Sequence, residues 1–297
     1  MTRWQANLLL LFAALIWGGT FTVQKVSGDV IGPYMFTGLR FALGAICLIP
    51  FMLKERARLL ARASPDPMDH WWLFFITGCV LAGAATVQHL GILQTSIANA
   101  GFLTTLYVPL TPLLAITLFR RRPHWIVWPG AFGCLCGTYI LSGGNLTALG
   151  LGDTLVLASA ILWALHILMI SLCMDRIGAP LSMALVQFTA AALIGIVAGL
   201  ALENNSTIKW SEAWWIVGFA GVVAVGVGFT LQVLAQRYSP PSDAAIMLSM
   251  EAVFAAVVGA IILGETMELH ELIGCGIILA AVILVEIVPT LWRPQAQ

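Results

Sequence analysis

Ten apolar runs divide the chain, and each is long enough to cross a lipid bilayer as a helix. A helix rises about 1.5 Å per residue, so roughly 20 mostly apolar residues cover a hydrocarbon core of about 30 Å. The runs fall near residues 6–24, 33–53, 71–93, 97–119, 125–141, 151–172, 180–202, 214–235, 244–263 and 272–288. The connections between them are short. The longest polar stretch, 54–70, is too short for an independent domain. Composition agrees: of 297 residues, 60% are apolar and 9% charged. So few charges could not cover the surface of a soluble protein of this size. The first run resembles the core of a secretion leader, but it pairs with a later segment and reads as a retained helix.

The basic residues orient the chain. With a cytoplasmic N-terminus, the inner segments carry Arg3, Lys54, Arg56, Arg58, Arg62, Arg120, Arg121, Arg122, Arg176, Arg237 and Arg293. The outer segments carry only Lys25 and Lys209. The positive-inside rule then places both termini in the cytoplasm. It also accounts for the Arg120–Arg122 run without any nucleic-acid or anionic-lipid partner. Tryptophans near the span ends (Trp71, Trp72, Trp125, Trp128, Trp210, Trp214, Trp215, Trp292) suit the headgroup region.

The two halves of the sequence resemble each other. At an offset of 146, Leu9, Leu11, Ala14 and Trp17 match Leu155, Leu157, Ala160 and Trp163. At an offset of 144, Thr86, Gln88, Leu90, Ala100 and Gly130 match Thr230, Gln232, Leu234, Ala244 and Gly274. The same shift pairs Asn99 with Asp243 and Tyr107 with Glu251. These matches divide the chain into 1–146 and 147–297, two units of five spans each. Five is odd, so the second unit enters the membrane from the opposite face. The expected fold is therefore all-α, with ten transmembrane helices in two inverted five-helix repeats. Inverted repeats suit a secondary transporter, because two similar halves can exchange conformations around a central site.

No chemistry of bond making is legible. There is no phosphate-binding G-x-x-x-x-G-K-[ST], no H-E-x-x-H and no supported Ser-His-Asp arrangement. The six cysteines lie in apolar runs without metal-ligand spacing and read as small packing residues. No catalytic residue, metal or cofactor is expected. The expected partners are a small solute and the bilayer, with the chain a monomer or homodimer.

Several stretches carry a family resemblance. They are Leu15-Ile16-Trp17-Gly18-Gly19-Thr20-Phe21, Leu39-Arg40-Phe41, Ile161-Leu162-Trp163-Ala164, Ala244-Ala245-Ile246, Met250-Glu251-Ala252-Val253-Phe254 and Leu263-Gly264-Glu265. With them the chain resembles the drug/metabolite transporter superfamily, and within it the ten-span EamA-type permeases, which include amino-acid exporters of the YddG kind. Ala252 follows Glu251 where the family often has proline, and Arg120-Arg121 replaces a frequent Gly-Glu. The resemblance implies export of small metabolites, commonly amino acids, across a bacterial cytoplasmic membrane. Drugs or nucleotide-linked sugars are the alternative cargo within the superfamily. A sensor or scaffold is the reading outside transport.

Polar groups at bilayer depth are costly and need a reason. Arg40 lies about 10 Å from the outer face and Glu251 about 12 Å from the inner one, by helical rise. They could form an intramembrane ion pair, or serve as substrate contact and switch. Trp17 and Trp163 lie inside spans 1 and 6, where they either pack or line a cavity. His166 shares a helical face with Trp163 and could bond a neighbouring helix or a solute. Gln88, His89 and Gln232 prefer the bundle interior, as gate or cavity positions or as interhelical bonds. Thr104, Thr105 and Tyr107 add hydroxyls in span 4. Pro109 and Pro112 should interrupt that span. Gly218, Gly221, Gly226 and Gly228 allow either close packing or bending in span 8.

Overall fold

The computed structural model describes residues 1–62, 64–144, 150–263 and 268–291, with backbone alone for 258–263 and 289–291. Gly264, Glu265, Trp292 and Arg293 lie outside the described residues. The described residues are helical, with no strand. In order the helices are α1 Arg3–Gly18, α2 Thr20–Ser27, α3 Pro33–Ala61, α4 Trp71–Gln94, α5 Ile97–Thr105, α6 Tyr107–Thr117 and α7 Val127–Leu141. There follow α8 Leu151–Arg176, α9 Pro180–Leu202, α10 Trp210–Phe219, a π-helical stretch Ala220–Phe229, α11 Thr230–Gln236, α12 Pro241–Leu248, α13 Met250–Leu263 and α14 Leu269–Leu291. Eight continuous or nearly continuous helices among the described residues are long and apolar enough to cross a membrane. The 15-residue α7 is shorter than that measure. The chain is a multi-pass membrane protein in its architecture.

Two breaks within spans have local causes. Pro109 lacks the N–H that would bond the Thr105 carbonyl, and its ring crowds that carbonyl. The helix stops at Thr105 and restarts at Tyr107. A matching break separates α12 from α13 at Ser249, whose hydroxyl bonds the Ile246 carbonyl at 2.7 Å. The second break needs no proline. Tyr107 and Glu251 thus each sit in the first turn of a resumed half-helix.

Helices α3 and α9 run antiparallel and cap each other. The Glu203 carboxylate, just past α9, accepts from the first free amides of α3, Tyr34 N at 2.8 Å and Met35 N at 2.9 Å. At the opposite end, Glu55 accepts from Leu181 N at 3.1 Å, Ser182 N at 2.7 Å and Ser182 Oγ at 2.8 Å. A carboxylate at a helix N-terminus satisfies orphan donors and complements the helix dipole. Between the caps the backbones nearly touch: a Cβ on Gly195 would lie 2.6 Å from the Gly38 Cα. Helices α7 and α14 cross in the same manner, with a Cβ on Gly274 lying 2.6 Å from the Gly137 carbonyl oxygen. In lipid, where apolar burial gains little, such close backbone packing holds helices together. Glu203→Gln should lower thermal stability in detergent by about 1–2 kcal/mol, the usual worth of a helix cap. An unchanged melting temperature would show that α3 holds its first turn without the charge.

Polar clusters close the ends of the bundle. Near the N-terminus Arg3 pairs with Asp243 at 2.9 Å, and Ser239 Oγ donates to Asn7 Oδ1 at 3.0 Å. Asn7 also bonds Glu286. Arg121 pairs with Asp175 at 2.7 Å at the same end. At the far end Lys25 donates to the carbonyls of Ile92, Leu93 and Thr95 at 2.9–3.1 Å, closing the C-terminus of α4.

Candidate functional site

A cavity of about 60 Å³ lies at the heart of the bundle. It holds only a few waters in this conformation. Its walls come from α1, α2, α3, α4, α5, α6, α8, the π-helical stretch, α11, α12 and α13, drawn from both halves of the sequence. Of the sequence-derived site residues, Trp17, Arg40, Gln88, Thr104, Tyr107, Trp163, Gln232 and Glu251 line it.

The aromatic wall centres on Phe229. Trp17 packs at 4.5 Å between ring centroids, and Trp163 stacks at 5.9 Å with an interplanar angle of 17°. The two tryptophans that the repeat relates therefore flank one ring. The Trp17 indole N–H donates to the Ala224 carbonyl at 3.1 Å. Ala224 and Phe229 both belong to the π-helical stretch, a geometry often found at functional sites. Of the span 8 glycines, Gly228 and Gly221 serve close packing: a Cβ would lie 2.7 Å from Trp17 Nε1 and 2.8 Å from Leu43 Cβ respectively.

The polar wall carries both signs of charge. Arg40 is only 5% exposed, and its guanidinium lies 5.2 Å from the centroids of both Phe36 and Phe41. Cation–π contact partly replaces its lost hydration. Among the described residues no ion pair joins Arg40 to Glu251, although both face the same cavity. Glu251 instead accepts a long hydrogen bond from the Tyr107 hydroxyl at 3.5 Å. The repeat relates those two residues, and here they touch. Gln88 Nε2 donates to Thr104 Oγ1 at 3.0 Å. Four further polar atoms on the wall are buried without a partner among the described residues: Arg40 Nε, Trp163 Nε1, Gln24 Oε1 and Gln232 Oε1. Buried polar groups are nearly always satisfied, so four orphans around one cavity mark a place built for something polar.

Three expected residues lie elsewhere. His89 follows Gln88 by one residue and so points about 100° away. Its Nε2 lies 3.0 Å from the Gln24 carbonyl and 3.1 Å from Ser27 Oγ, and Phe36 meets its ring edge-on. His166 donates from Nε2 to Gln187 Oε1 at 2.9 Å, behind the Trp163–Phe229 stack. Thr105 bonds back to the Gly101 carbonyl at 2.9 Å, and its neighbour Thr104 is the span 4 threonine that lines the cavity. Gln24, Thr20 and Phe229 line the cavity without having stood out in the sequence. Gln24 carried the one usable signal, an amide near the end of an apolar run.

Glu251 has a second exposure. It also borders a crevice of about 340 Å³ that reaches Gly18, Ile97, Ser142 and Glu271. It therefore stands between the central cavity and that crevice.

Comparison with known proteins decides the family. The model of the EamA-like transporter family matches the chain twice, over residues 4–143 and 150–287. The chain belongs to the EamA-like transporter family. Curated relatives align end to end with this EamA chain. An uncharacterized transporter of Archaeoglobus fulgidus is 30% identical over 96% of the chain and 87% of its own length. The inner membrane transporter YedA of Escherichia coli, itself uncharacterized, is 29% identical over 95% and 92%. The threonine/homoserine exporter RhtA of Escherichia coli is 29% identical over 95% and 91%. A solved crystal structure superposes with a TM-score of 0.76 at 20% identity, covering 98% of the EamA chain and 100% of its own. That likeness concerns the fold.

Proposed function

We propose that this chain is a secondary exporter of small zwitterionic metabolites, foremost amino acids, in a bacterial cytoplasmic membrane. The observation that carries the reading is the central cavity, where a buried cation, a buried carboxylate and four unpartnered polar atoms face one another across an aromatic wall. Arg40 takes the carboxylate of the solute, because a guanidinium matches a carboxylate with two parallel donors. Glu251 takes the ammonium, and its protonation is the step that a pH gradient would drive. Trp163 and Phe229 cover the apolar part. The threonine/homoserine exporter among the relatives favours a small hydroxylated amino acid. Arg40 is the single cation among the described lining residues, which disfavours sugars carrying several phosphates.

The architecture proposed is ten spans in two inverted units, 1–146 and 147–297, with both termini cytoplasmic. Supporting it, repeat-related residues meet at the centre: Trp17 and Trp163 across Phe229, and Tyr107 against Glu251. Rocking of the units around that contact would open the cavity to each side in turn. The small volume of the cavity fits a conformer between those two states.

Counterflow in proteoliposomes tests the proposal, with threonine, homoserine, an aromatic amino acid, a nucleoside and a cationic drug as solutes. Threonine or homoserine should exchange and the nucleoside should not. Trp163→Ala should cut that exchange about tenfold, the loss of an aromatic contact with the solute, while insertion and purification stay normal. Unchanged exchange would remove Trp163 from the site. Exchange of the nucleoside or drug alone would overturn the amino-acid reading.

A further inference from the structure

Helix α3 is too long for the membrane it crosses. Its 29 residues span about 43 Å at 1.5 Å each, against a core of about 30 Å. Its last turns therefore emerge at headgroup level. They carry Lys54 and Arg58, which with Arg62, the residue just past the helix, line a crevice of about 470 Å³ together with Arg237 from beyond α11 and with Leu181 at the start of α9. Phe51, which is 55% exposed, and Leu59 form its apolar lip. Gly178, at φ +69°, turns the chain between α8 and α9, and Arg237 Nη2 lies 3.5 Å from where its Cβ would be.

The charges in this crevice are unbalanced. Arg3, Arg56 and Arg121 at this end each pair with a carboxylate. Lys54, Arg58, Arg62 and Arg237 form no ion pair among the described residues. The one carboxylate among the described residues of the crevice, Glu55, is committed to the N-terminus of α9 through three hydrogen bonds. Orientation of the chain in the membrane requires positive charge at this end, but not its convergence from two separate segments on one crevice. Four converging cations over an apolar lip match a phosphodiester above acyl chains.

We propose that this crevice is a binding site for the headgroup of an anionic glycerophospholipid. The phosphate sits among Arg58, Arg62 and Arg237, and the acyl chains leave past Phe51 into the bilayer. The lipid bridges α3, the α8–α9 turn and the end of α11, elements contributed by both halves of the sequence. This site stands apart from the central cavity, so its test does not depend on which solute is carried.

Native mass spectrometry of the full chain in detergent reads it directly, with phosphatidylglycerol and phosphatidylcholine of equal chain length as ligands. One phosphatidylglycerol should bind in clear preference to phosphatidylcholine. The combined variant Arg58→Gln, Arg62→Gln, Arg237→Gln should weaken phosphatidylglycerol binding about a hundredfold, near fivefold for each cation at a headgroup. Phosphatidylcholine binding should not change. The variant Arg120→Gln, Arg122→Gln, Arg176→Gln removes equal charge from the same end outside the crevice and should lose less than about threefold. Equal losses in the two variants would reduce the site to a diffuse field and overturn it. So would equal binding of the two lipids, or displacement of phosphatidylglycerol by inorganic phosphate at equal concentration. If the triple variant fails to insert, Arg237→Gln alone should still lose about fivefold, and no loss would overturn the site.

Discussion

Arg40→Gln is expected to lower threonine or homoserine counterflow by about ten- to a hundredfold without destabilising the protein. A hydrogen bond to a charged group contributes about 1.5–3 kcal/mol, which sets the size of the loss if Arg40 receives the solute carboxylate. The opposite behaviour of stability follows from the same geometry. Removing one partner of a buried ion pair strands the other, at about 3–5 kcal/mol. Arg40 has no such partner among the described residues, and its contacts are the faces of Phe36 and Phe41. Replacing it removes an expensive desolvated charge and strands nothing. Thermal unfolding in detergent should give an equal or higher melting temperature. A large fall in stability would mean that Arg40 braces the bundle, and unchanged counterflow would remove it from the proposed site.

The second large effect concerns the α3–α9 crossing. Gly195→Leu should abolish the folded state or lower its stability by at least about 3 kcal/mol, the upper end of overpacking costs. The added Cβ would lie 2.6 Å from the Gly38 Cα, and a backbone cannot rotate aside as a side chain can. The crossing is also held at both ends by Glu55 and Glu203, so the helices cannot separate without losing those caps. Gly276→Ala is the matched control, since nothing among the described residues lies within 4 Å of its Cβ position. It should be neutral or slightly stabilising, as alanine favours the helix over glycine. Gel filtration and melting curves of the two variants decide the matter. A well-folded Gly195→Leu would show that α3 and α9 can part.

Both effects rest on features that a linear reading reaches unequally. Eight of the ten expected spans were legible as long apolar helices among the described residues, because lipid imposes a one-dimensional rule: about 20 apolar residues in a row, whatever their neighbours. The family was legible for a related reason, since stretches such as Leu15–Phe21 keep their residues in register. Trp17, Arg40, Trp163 and Glu251 stood out because a polar or bulky group in an apolar run costs free energy and requires an explanation. The repeat added Tyr107, Gln88 and Gln232, because it tied polar positions in one half to positions in the other.

Facing direction was not legible. His89 and Gln88 are adjacent and equally polar, and only the packing of α4 against α2 turns His89 toward Gln24 and away from the cavity. Thr104 and Thr105 differ in the same way. Phe229 looked like any apolar residue of span 8, yet the π-helical geometry places it between the two tryptophans. Pairing of spans 2 and 7 makes caps of Glu55 and Glu203, a role that no local pattern marks. The sequence by itself determined most of the long apolar helices and which costly residues they carry, since both are properties of composition along a line. Only the tertiary structure decided which of those residues share a cavity. That depends on the rotation of each helix about its own axis, and the rotation is set by close backbone contacts such as Gly38 with Gly195, between residues far apart in the chain.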